Sequence, residues 1–416
     1  MTRVVVIGAG LAGLTAALRL AEGGARVTVV ATGSGSLPLS PGTIDVMGYD
    51  ESGRVDAPGA AVAALAHSGH PYAQLSQVLD EALGWFRERV PALRYVGGTD
   101  TNMLLPTAVG APRPTALAPA SMAAADLRRG PRLVVVGLRV LKDFFPSLLA
   151  DNLGRAAGLP AAVEVRHAEV PVSPHPGRAD VAPQVFARAL DDEPGFRHAL
   201  ADGLLGVAAA GETLALPAVL GLKHHAEVHD ELQQRLGVPV AEIATIPPSV
   251  PGLRLDRALR AAVDAAGGRV VVGTSAVAGE DAGGALTGVV VEEAARRRTL
   301  PADAVVLATG GFSAGGLQLD SHGGLREAVL GLPVDGPPEG ERGLSNRHLD
   351  HQPLMAAGVR TGADGRVVDG DGSVVWGNLW AAGTIVAGAH PWREKSGEGI
   401  AIAGGYRAAT GILEAT

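Results

Sequence analysis

The sequence predicts an α/β protein in which a nucleotide-binding domain built on parallel strands is interrupted by a second domain. Two observations lead to this prediction. Short runs of Val, Ile and Leu are followed at once by glycine turns, which is typical of buried parallel strands. Stretches rich in alanine and leucine read as helices. These patterns occupy both ends of the 416-residue chain, whereas a proline-rich, mixed stretch fills the middle, so the ends are expected to form one domain and the middle another.

The first element is a complete β-α-β unit at the N-terminus. Residues 3–7 predict a buried strand, residues 11–22 a helix, and residues 25–30 a second strand. Between the first strand and the helix stands a G-x-G-x-x-G motif, whose residues are Gly8, Ala9, Gly10, Leu11, Ala12 and Gly13. In such a unit the first glycine makes a tight turn, the second lets a pyrophosphate approach the backbone, and the third lets the helix pack on the strand. The motif therefore predicts a nucleotide-cofactor site.

The end of the second strand lacks the acidic residue that would bind an adenosine ribose there. Residues 29–33 read Val-Val-Ala-Thr-Gly, without a carboxylate. The ribose would then be held by Thr32 or by the backbone. Equally, the cofactor could bind differently or contain no adenosine.

The other elements of the nucleotide domain follow much later in the chain. We predict a helix over residues 255–266, a strand over 269–272, a hairpin over 276–293, short strands at 303–307 and 378–383, and a helix over 397–413. The nucleotide domain should thus comprise residues 1–50, 250–330 and 345–416. Residues 51–249 should form the inserted domain, of the α/β or α+β class.

This layout resembles that of the two-domain flavoproteins over the whole chain. In those proteins the last segment brings a helix N-terminus to the flavin. Here Gly397, Gly399 and Ile400 would direct backbone N–H groups and a positive dipole at the pyrimidine ring, where reduced flavin carries negative charge. The fold therefore implies a Rossmann-like domain that binds FAD. A plain NAD-dependent enzyme would have no use for this segment.

Four further stretches carry a closer resemblance. They are residues 39–45 (Leu-Ser-Pro-Gly-Thr-Ile-Asp), 70–72 (His-Pro-Tyr), 246–255 (Ile-Pro-Pro-Ser-Val-Pro-Gly-Leu-Arg-Leu) and 309–333, which contains Phe-Ser-Ala-Gly-Gly-Leu and Leu-Arg-Glu. In kind and order they resemble the B subunit of anaerobic glycerol-3-phosphate dehydrogenase. One departure is the loop at residues 389–396, which is more charged than the glycine-rich form expected of that family.

The resemblance implies a cofactor, a reaction and partners. It implies FMN rather than FAD, in agreement with the missing acidic residue, and the oxidation of sn-glycerol 3-phosphate to dihydroxyacetone phosphate in a quinone-linked complex. A paired A subunit would carry FAD and most resembles the substrate-oxidising enzyme, while an iron–sulfur C subunit would attach the pair to the membrane. The chain is then expected in the cytoplasm, at the inner face of the cell membrane through its partners. Whether it binds substrate or only relays electrons stays open.

Composition excludes several other classes of function. A net charge of −8 offers no basic surface for nucleic acid. The absence of cysteine excludes disulfides, thiolate zinc sites and cysteine-ligated iron–sulfur clusters within the chain. His225 and His229 have the i, i+4 spacing of a metal site, with His224 beside them, but no further ligand suits, so no metal is predicted. No secretory signal and no run of 18 apolar residues is recognisable, and a soluble, cytoplasmic protein is expected.

Further residues are predicted near the cofactor by analogy with flavoproteins of this layout, in which the loop after the second strand borders the flavin ring. These residues are Thr32, Ser40, Gly42, Thr43, Thr309, Gly310 and Gly383. Capping of a helix is the alternative role for the hydroxyls of the loop.

Candidate catalytic residues are fewer. His390 and His351 are candidates for proton transfer during substrate oxidation. Arg254 could bind a phosphate with two hydrogen bonds, or it could form an interdomain salt bridge. Arg393 and Lys395 could stabilise anionic reduced flavin or lie on a charged surface loop.

Two other functions compete with this interpretation. The chain could be an independent FAD-dependent dehydrogenase or reductase of the fumarate reductase and ketosteroid dehydrogenase kind, which would turn over alone with an artificial acceptor. It could also be a non-redox module that keeps the nucleotide fold for interaction with protein or tRNA, although the negative net charge speaks against tRNA. Such a module would be colourless, or would hold a flavin that no donor reduces.

Overall fold

The computed structural model describes residues 1–294, 296–338, 343–347 and 350–415. The chain folds into two compact units. The first comprises Met1–Ser36, Asp45–Arg89 and Ala258–Thr416, and the second comprises Leu37–Ile44 and Val90–Arg257. No helix within the described residues is both long and apolar enough to cross a membrane.

A sheet of five parallel strands lies at the centre of the first unit. In order across the sheet, the strands are Arg269–Val272, Arg26–Ala31, Arg3–Ile7, Ala304–Leu307 and Leu379–Ala381. The central strands are continuous runs of buried aliphatic side chains, as expected when both faces of a parallel sheet are covered. All five agree with the strands predicted from the sequence.

Two long helices of the first unit pack on each other. They are the first helix, Leu11–Glu22, and the C-terminal helix, Gly397–Glu414. Gly405 lies so close to the carbonyl group of Ala12 that a Cβ atom would collide with it, so small residues allow this approach. The other helices of the unit are Pro58–Ala64, Tyr72–Leu75, Leu79–Arg89 and Pro391–Glu394.

A three-stranded antiparallel sheet adds to the first unit. Its strands are Ser275–Ala282, Ala285–Glu293 and Arg296–Pro301, and the first two confirm the predicted hairpin. The sequence does not predict the third strand, because its exposed Arg-Arg-Arg-Thr run has no apolar alternation. Shorter antiparallel pairs join Tyr49–Asp50 to Gly53–Arg54, Leu317–Leu319 to Leu325–Glu327, and Arg360–Thr361 to Val367–Val368.

The second unit has a sheet of its own, with four parallel strands. In order across the sheet, they are Glu164–Val170, Arg132–Leu138, Thr213–Pro217 and Val240–Ile243. Its helices are Ala120–Ala123, Pro146–Gly154, Pro183–Asp192, Pro194–Leu204 and His225–Leu236. Two antiparallel pairs complete it, Tyr95–Gly97 with Leu117–Pro119 and Met103–Pro106 with Pro112–Thr115. The predicted α/β class is confirmed, with a parallel sheet in each unit.

The helix predicted over residues 255–266 is longer than expected and spans Val250–Ala265. Pro251 does not delay its start. Proline in the first turn of a helix forfeits no intrahelical hydrogen bond, and its fixed φ angle suits the helix.

Residues 51–89, which the sequence places in the inserted domain, lie in the first unit of the structure. The helix Leu79–Arg89 shows the reason. The side chain of Phe86 is buried, and Trp85 Nε1 and Arg89 Nε donate hydrogen bonds to the carboxylate of Glu22, at 3.0 and 2.6 Å. We still only predict that one domain binds the cofactor and that the other binds substrate or docks a partner.

Candidate cofactor site

The glycine motif forms the turn between the first strand and the first helix. Gly8 has φ +116°, a conformation that favours glycine, and its N–H donates to the carbonyl of Val30 at 2.8 Å. A Cβ atom on Gly8 would collide with the carbonyl oxygen of Ala308, and one on Gly13 would collide with the carbonyl oxygen of Gly8. The first and third glycines of the motif are therefore required by the packing of the protein itself.

Gly10 differs from the other two glycines of the motif. It is the N-cap residue of the first helix, its backbone is extended (φ −79°, ψ −175°), and no side chain caps the helix. A Cβ atom on Gly10 would meet no protein atom within 4 Å. The helix thus presents its first N–H groups and the positive end of its dipole beside open space, which fits a phosphate group.

The carboxyl ends of the parallel strands lie at the same edge of the sheet as this turn. Thr32, Thr309 and Gly383 follow three of these strands, so the structure brings the predicted residues to one edge. Thr32 is exposed, and its Oγ1 lies 3.4 Å from Oγ of Ser275. Thr309 Oγ1 is buried and has no hydrogen-bond partner among the described residues, which leaves it available to a ligand. Gly310 follows with φ +80°.

Two N–H groups at the start of the C-terminal helix have partners within the protein. The N–H of Gly399 donates to the carbonyl of Asp45 at 2.9 Å, and the N–H of Ile400 donates to the carbonyl of Ser396 at 3.1 Å. A Cβ atom on Gly399 would collide with the hydroxyl of Tyr72. The N–H groups of Gly399 and Ile400 are therefore used within the protein. A contact of Gly397 with the cofactor stays a prediction.

The loop that carries Ser40, Gly42 and Thr43 belongs to the second unit. Ser40 Oγ donates to the carbonyl of Leu37 at 2.9 Å and accepts the N–H of Gly42 at 3.3 Å, so this hydroxyl closes a turn. A Cβ atom on Gly252 would collide with the carbonyl of Leu37. Two family-like stretches, residues 39–45 and 246–255, therefore pack tightly together. A contact of these residues with the cofactor stays a prediction.

Arg254 lies in a buried ion pair rather than at a surface. Its Nη1 and Nη2 atoms donate to the two carboxylate oxygens of Glu242 at 2.8 and 2.9 Å, and its Nε donates to the carbonyl of Gly221 at 2.7 Å. The two side chains are 2% and 0% exposed. Of the two roles considered for Arg254, the structure favours the salt bridge, here formed within the second unit.

Further hydrogen-bonding side chains surround the carboxylate of Glu242. Nε2 of His225 lies 2.8 Å from it, and Ser121 Oγ donates to it at 3.0 Å. Burial raises the pKa of Glu242, but the charges of Arg254 and His225 and the hydrogen bonds outweigh this and hold it well below its usual range. Burial and the charge of Arg254 lower the pKa of His225.

The histidines that have the spacing of a metal site make other contacts in the structure. His225 is turned to Glu242, and Nε2 of His229 donates to the carbonyl of Val240 at 2.8 Å. Among the residues that the structure describes, no three His, Asp or Glu side chains are grouped as metal ligands.

His351 and His390, which the sequence offers as separate candidates, are brought together in the first unit. Their Nε2 atoms are 2.7 Å apart, and the ring planes are inclined at 64°. His351 is exposed, whereas His390 is half-buried. Burial lowers the pKa of His390, and the neighbouring His351 lowers it further.

Beside this pair lies a carboxylate that sequence reasoning missed. Glu394 accepts hydrogen bonds from the backbone N–H of His390 at 2.9 Å, from Ser396 Oγ at 2.7 Å and from His70 Nε2 at 3.1 Å. Burial raises the pKa of Glu394, but these donors outweigh it, and the pKa lies below its usual value. The only sequence signals were the family-like stretch at residues 70–72 and the unusual charge of the loop.

The two cations predicted in that loop are placed differently. Arg393 is exposed, and Lys395 is half-buried with φ +54° at the end of a one-turn helix. A role of either side chain at the flavin stays a prediction.

Comparison with known proteins finds matches over nearly the whole chain. Residues 3–400 match the family model described as FAD binding domain. The B subunit of the probable anaerobic glycerol-3-phosphate dehydrogenase of Halobacterium salinarum is 35% identical, over 100% of this chain and 98% of that protein. The B subunit of the anaerobic glycerol-3-phosphate dehydrogenase of Yersinia pseudotuberculosis is 31% identical, over 96% of this chain and 95% of that protein. Among solved structures, 3-ketosteroid Δ1-dehydrogenase from Sterolibacterium denitrificans aligns over 100% of both chains, with a TM-score of 0.48 and 13% identity.

Proposed function

The chain belongs to the FAD binding domain family and to the family of anaerobic glycerol-3-phosphate dehydrogenase B subunits, and from this premise we propose that it carries a flavin and takes part in the oxidation of sn-glycerol 3-phosphate. The observation that carries the proposal is the cradle at Gly10. A helix N-terminus without a side-chain cap stands there beside open space, at the carboxyl edge of a parallel sheet.

The residues of the cradle would each have a distinct part in holding the flavin. Backbone N–H groups at the start of the first helix would bind its phosphate, and Gly10 would leave room for it. The buried hydroxyl of Thr309 and the turn at Gly383 would lie along the same edge. A bound flavin would supply hydride-accepting chemistry, which no side chain offers.

We propose FMN as the flavin, with FAD as the alternative. FMN has no adenosine ribose to hold, and no carboxylate follows the strand Arg26–Ala31. Thr32, which stands at that position, is exposed and close to Ser275. FAD is favoured by the description of the matching family model. Release of the flavin by denaturation, followed by chromatography against both standards, separates the two.

We propose further that the chain works with two partner subunits. One is a catalytic A subunit that contains FAD. The other is an iron–sulfur C subunit, which anchors the pair at the inner face of the cytoplasmic membrane and passes electrons to quinone. The relatives support this proposal, because each is named as the B subunit of its dehydrogenase.

The proposal is tested by the visible spectrum of the purified chain and by anaerobic titration with glycerol 3-phosphate. Released FMN that is bleached only after addition of a partner flavoprotein would support a subunit that relays electrons. Bleaching by substrate alone would make the chain catalytic in its own right. A colourless protein that cannot be reconstituted with either flavin would refute the redox function.

A further inference from the structure

A small cavity in the first unit lies beside the C-terminal helix. The strand Leu379–Ala381 and the short helix Tyr72–Leu75 contribute to its wall. Its empty volume is about 340 Å³, part of which is open to solvent, and the space that a water-sized molecule can enter is narrow. Apolar side chains make up much of the wall, among them Pro71, Leu75, Val386 and Ala408. Among the described residues of the wall, only Arg407 is charged.

The guanidinium of Arg407 uses one of its three nitrogen atoms within the protein. The Nη1 atom donates a hydrogen bond to the carbonyl of Gln74 at 2.8 Å. The Nε and Nη2 atoms have no hydrogen-bond partner among the described residues, and neither is sealed from solvent. These two atoms form an edge of the guanidinium that can donate two parallel hydrogen bonds to the two oxygens of a carboxylate.

The positive charge of Arg407 has no paired carboxylate among the described residues. Asp364 is the acidic residue whose charge acts on it, but that carboxylate accepts hydrogen bonds from the backbone N–H and from Nε of Arg366. Arg407 is half-buried, and burial lowers its pKa by more than the charge of Asp364 raises it. Because a partly desolvated charge without a partner is unfavourable, a bound anion would stabilise this arrangement.

The other polar side chains of the wall are bonded to each other. Nε2 of Gln74 donates to the carbonyl of Thr361 at 2.8 Å, and Oγ1 of Thr361 donates to Oε1 of Gln74 at 3.2 Å. The free edge of Arg407 is therefore the only group of the described wall that we find available to an anion. One guanidinium edge matches one carboxylate, whereas the further oxygens and the second charge of a phosphate would find no donor.

The free edge of Arg407 lies away from the cradle at Gly10. Arg407 stands ten residues beyond the start of the C-terminal helix at Gly397, which is about 15 Å along the helix axis. The wall includes Gly383 and Ile400, which the sequence predicts near the cofactor. The N–H of Ile400, however, donates to the carbonyl of Ser396. Competition with flavin is therefore part of the test.

We propose that this cavity binds a short-chain monocarboxylate. Its two oxygens accept hydrogen bonds from Nε and Nη2 of Arg407, and its alkyl chain contacts the apolar wall. The narrow space restricts the ligand to a short chain. A chloride ion has no second oxygen with which to match the planar guanidinium, so a carboxylate is preferred to it. The proposal does not rest on the proposed function, because no flavin and no partner subunit takes part in this binding.

The first test is saturation-transfer nuclear magnetic resonance of sodium propionate with the purified full chain. Saturation of the methyl groups of the wall should pass to the alkyl protons of bound propionate. Arg407→Gln should raise the dissociation constant of propionate at least tenfold, because hydrogen bonds to a charged group are lost. Arg26 is exposed and lies in the same unit, so Arg26→Gln is the control that removes an equal charge and should leave binding within twofold. No transfer in the wild type, or equal binding by Arg407→Gln, would overturn the proposal.

A second variant tests the cavity without changing the guanidinium. Val386 is half-buried in the wall, and Val386→Phe would fill part of the space, so propionate should again bind at least tenfold more weakly. A non-specific association with the charge of Arg407 would survive this change. Binding by Val386→Phe within twofold of the wild type would therefore refute the cavity. This variant also keeps the proposal open to refutation should Arg407→Gln fail to fold.

Competition identifies the class of ligand and separates the site from the cofactor. Acetate should displace propionate, whereas chloride and phosphate at equal ionic strength should not. Displacement by chloride or phosphate as effective as that by acetate would overturn the preference for a carboxylate. Saturating FMN should leave propionate bound, and its displacement by FMN would assign the cavity to the cofactor site and overturn the proposal. A chain that never binds flavin can still bind propionate, so failure of the proposed function leaves this result distinct.

Discussion

Replacement of Gly10 by valine should abolish flavin binding and leave the fold intact. The backbone at Gly10 is extended, so an L-residue fits without strain, and a Cβ atom meets no protein atom within 4 Å. Valine is a poorer N-cap residue than glycine, so we expect Gly10→Val to lower the free energy of unfolding of the flavin-free chain by about 1 kcal/mol at most.

The free energy of flavin binding should change much more than the free energy of unfolding does. The valine side chain would occupy the space beside the helix N-terminus and keep the phosphate from its N–H donors. A hydrogen bond to a charged group contributes about 1.5–3 kcal/mol, so the loss of two amounts to about 3–6 kcal/mol. This corresponds to a weakening of the dissociation constant by at least about 100-fold.

Two glycines of the same unit serve as controls. At Gly13 a Cβ atom would collide with the carbonyl of Gly8, so Gly13→Ala should destabilise the flavin-free chain by about 1–3 kcal/mol. At Gly84, in the helix Leu79–Arg89, a Cβ atom meets nothing within 4 Å, so Gly84→Ala should stabilise the chain slightly and leave flavin binding unchanged.

The assay combines urea unfolding of the flavin-free variants with fluorescence titration of FMN and FAD. We expect the Gly10→Val variant to keep most of its free energy of unfolding and to lose its affinity for both flavins. A folded Gly10→Val variant that binds flavin as tightly as the wild type would refute the placement of the phosphate.

Three further predictions concern the stability of the two units. Glu242→Gln should destabilise the chain by about 3–5 kcal/mol in urea unfolding, since it leaves the buried Arg254 without its counter-charge; a loss below about 1 kcal/mol would contradict this. The urea midpoint of unfolding should fall on acidification below about pH 6.5, because the pKa values of His225 and Glu242 are lowered in the folded state. The unfolded chain therefore binds these protons at a higher pH than the folded chain does. A midpoint that rises between about pH 7 and pH 5.5 would contradict this. Tyr72→Phe should cost about 1–3 kcal/mol, because the carbonyls of Val46 and Ser396 lose their donor, with the exposed Val374→Ala as a neutral control.

The β-α-β unit at the N-terminus could be predicted almost to the residue. The strand Arg3–Ile7 and the helix Leu11–Glu22 agree with their predicted bounds. Both depend on local features, namely a short aliphatic run, a glycine turn and a helical pattern of alanine and leucine. The roles of Gly8 and Gly13 also follow from this local context, and the structure supports both.

The start of the C-terminal helix could not be predicted in the same way. Whether the N–H of Gly399 is free depends on the carbonyl of Asp45, which is distant in sequence. Arg254 presents the same difficulty, since nothing in its surroundings along the chain reveals that Glu242 neutralises it. For both residues, a part of the chain that is distant in sequence supplies a hydrogen-bond partner, which the local sequence cannot reveal.

The sequence by itself therefore determined the α/β class, the glycine turn and the family. Each of these can be recognised from short stretches of consecutive residues, because backbone geometry and hydrophobic periodicity depend on only a few neighbouring residues. Only the tertiary structure decided that His351 meets His390 and that Glu394 joins His70 to Ser396. A hydrogen bond forms only when donor and acceptor lie about 3 Å apart, and for side chains far apart in the sequence this distance is set by the packing of the whole unit.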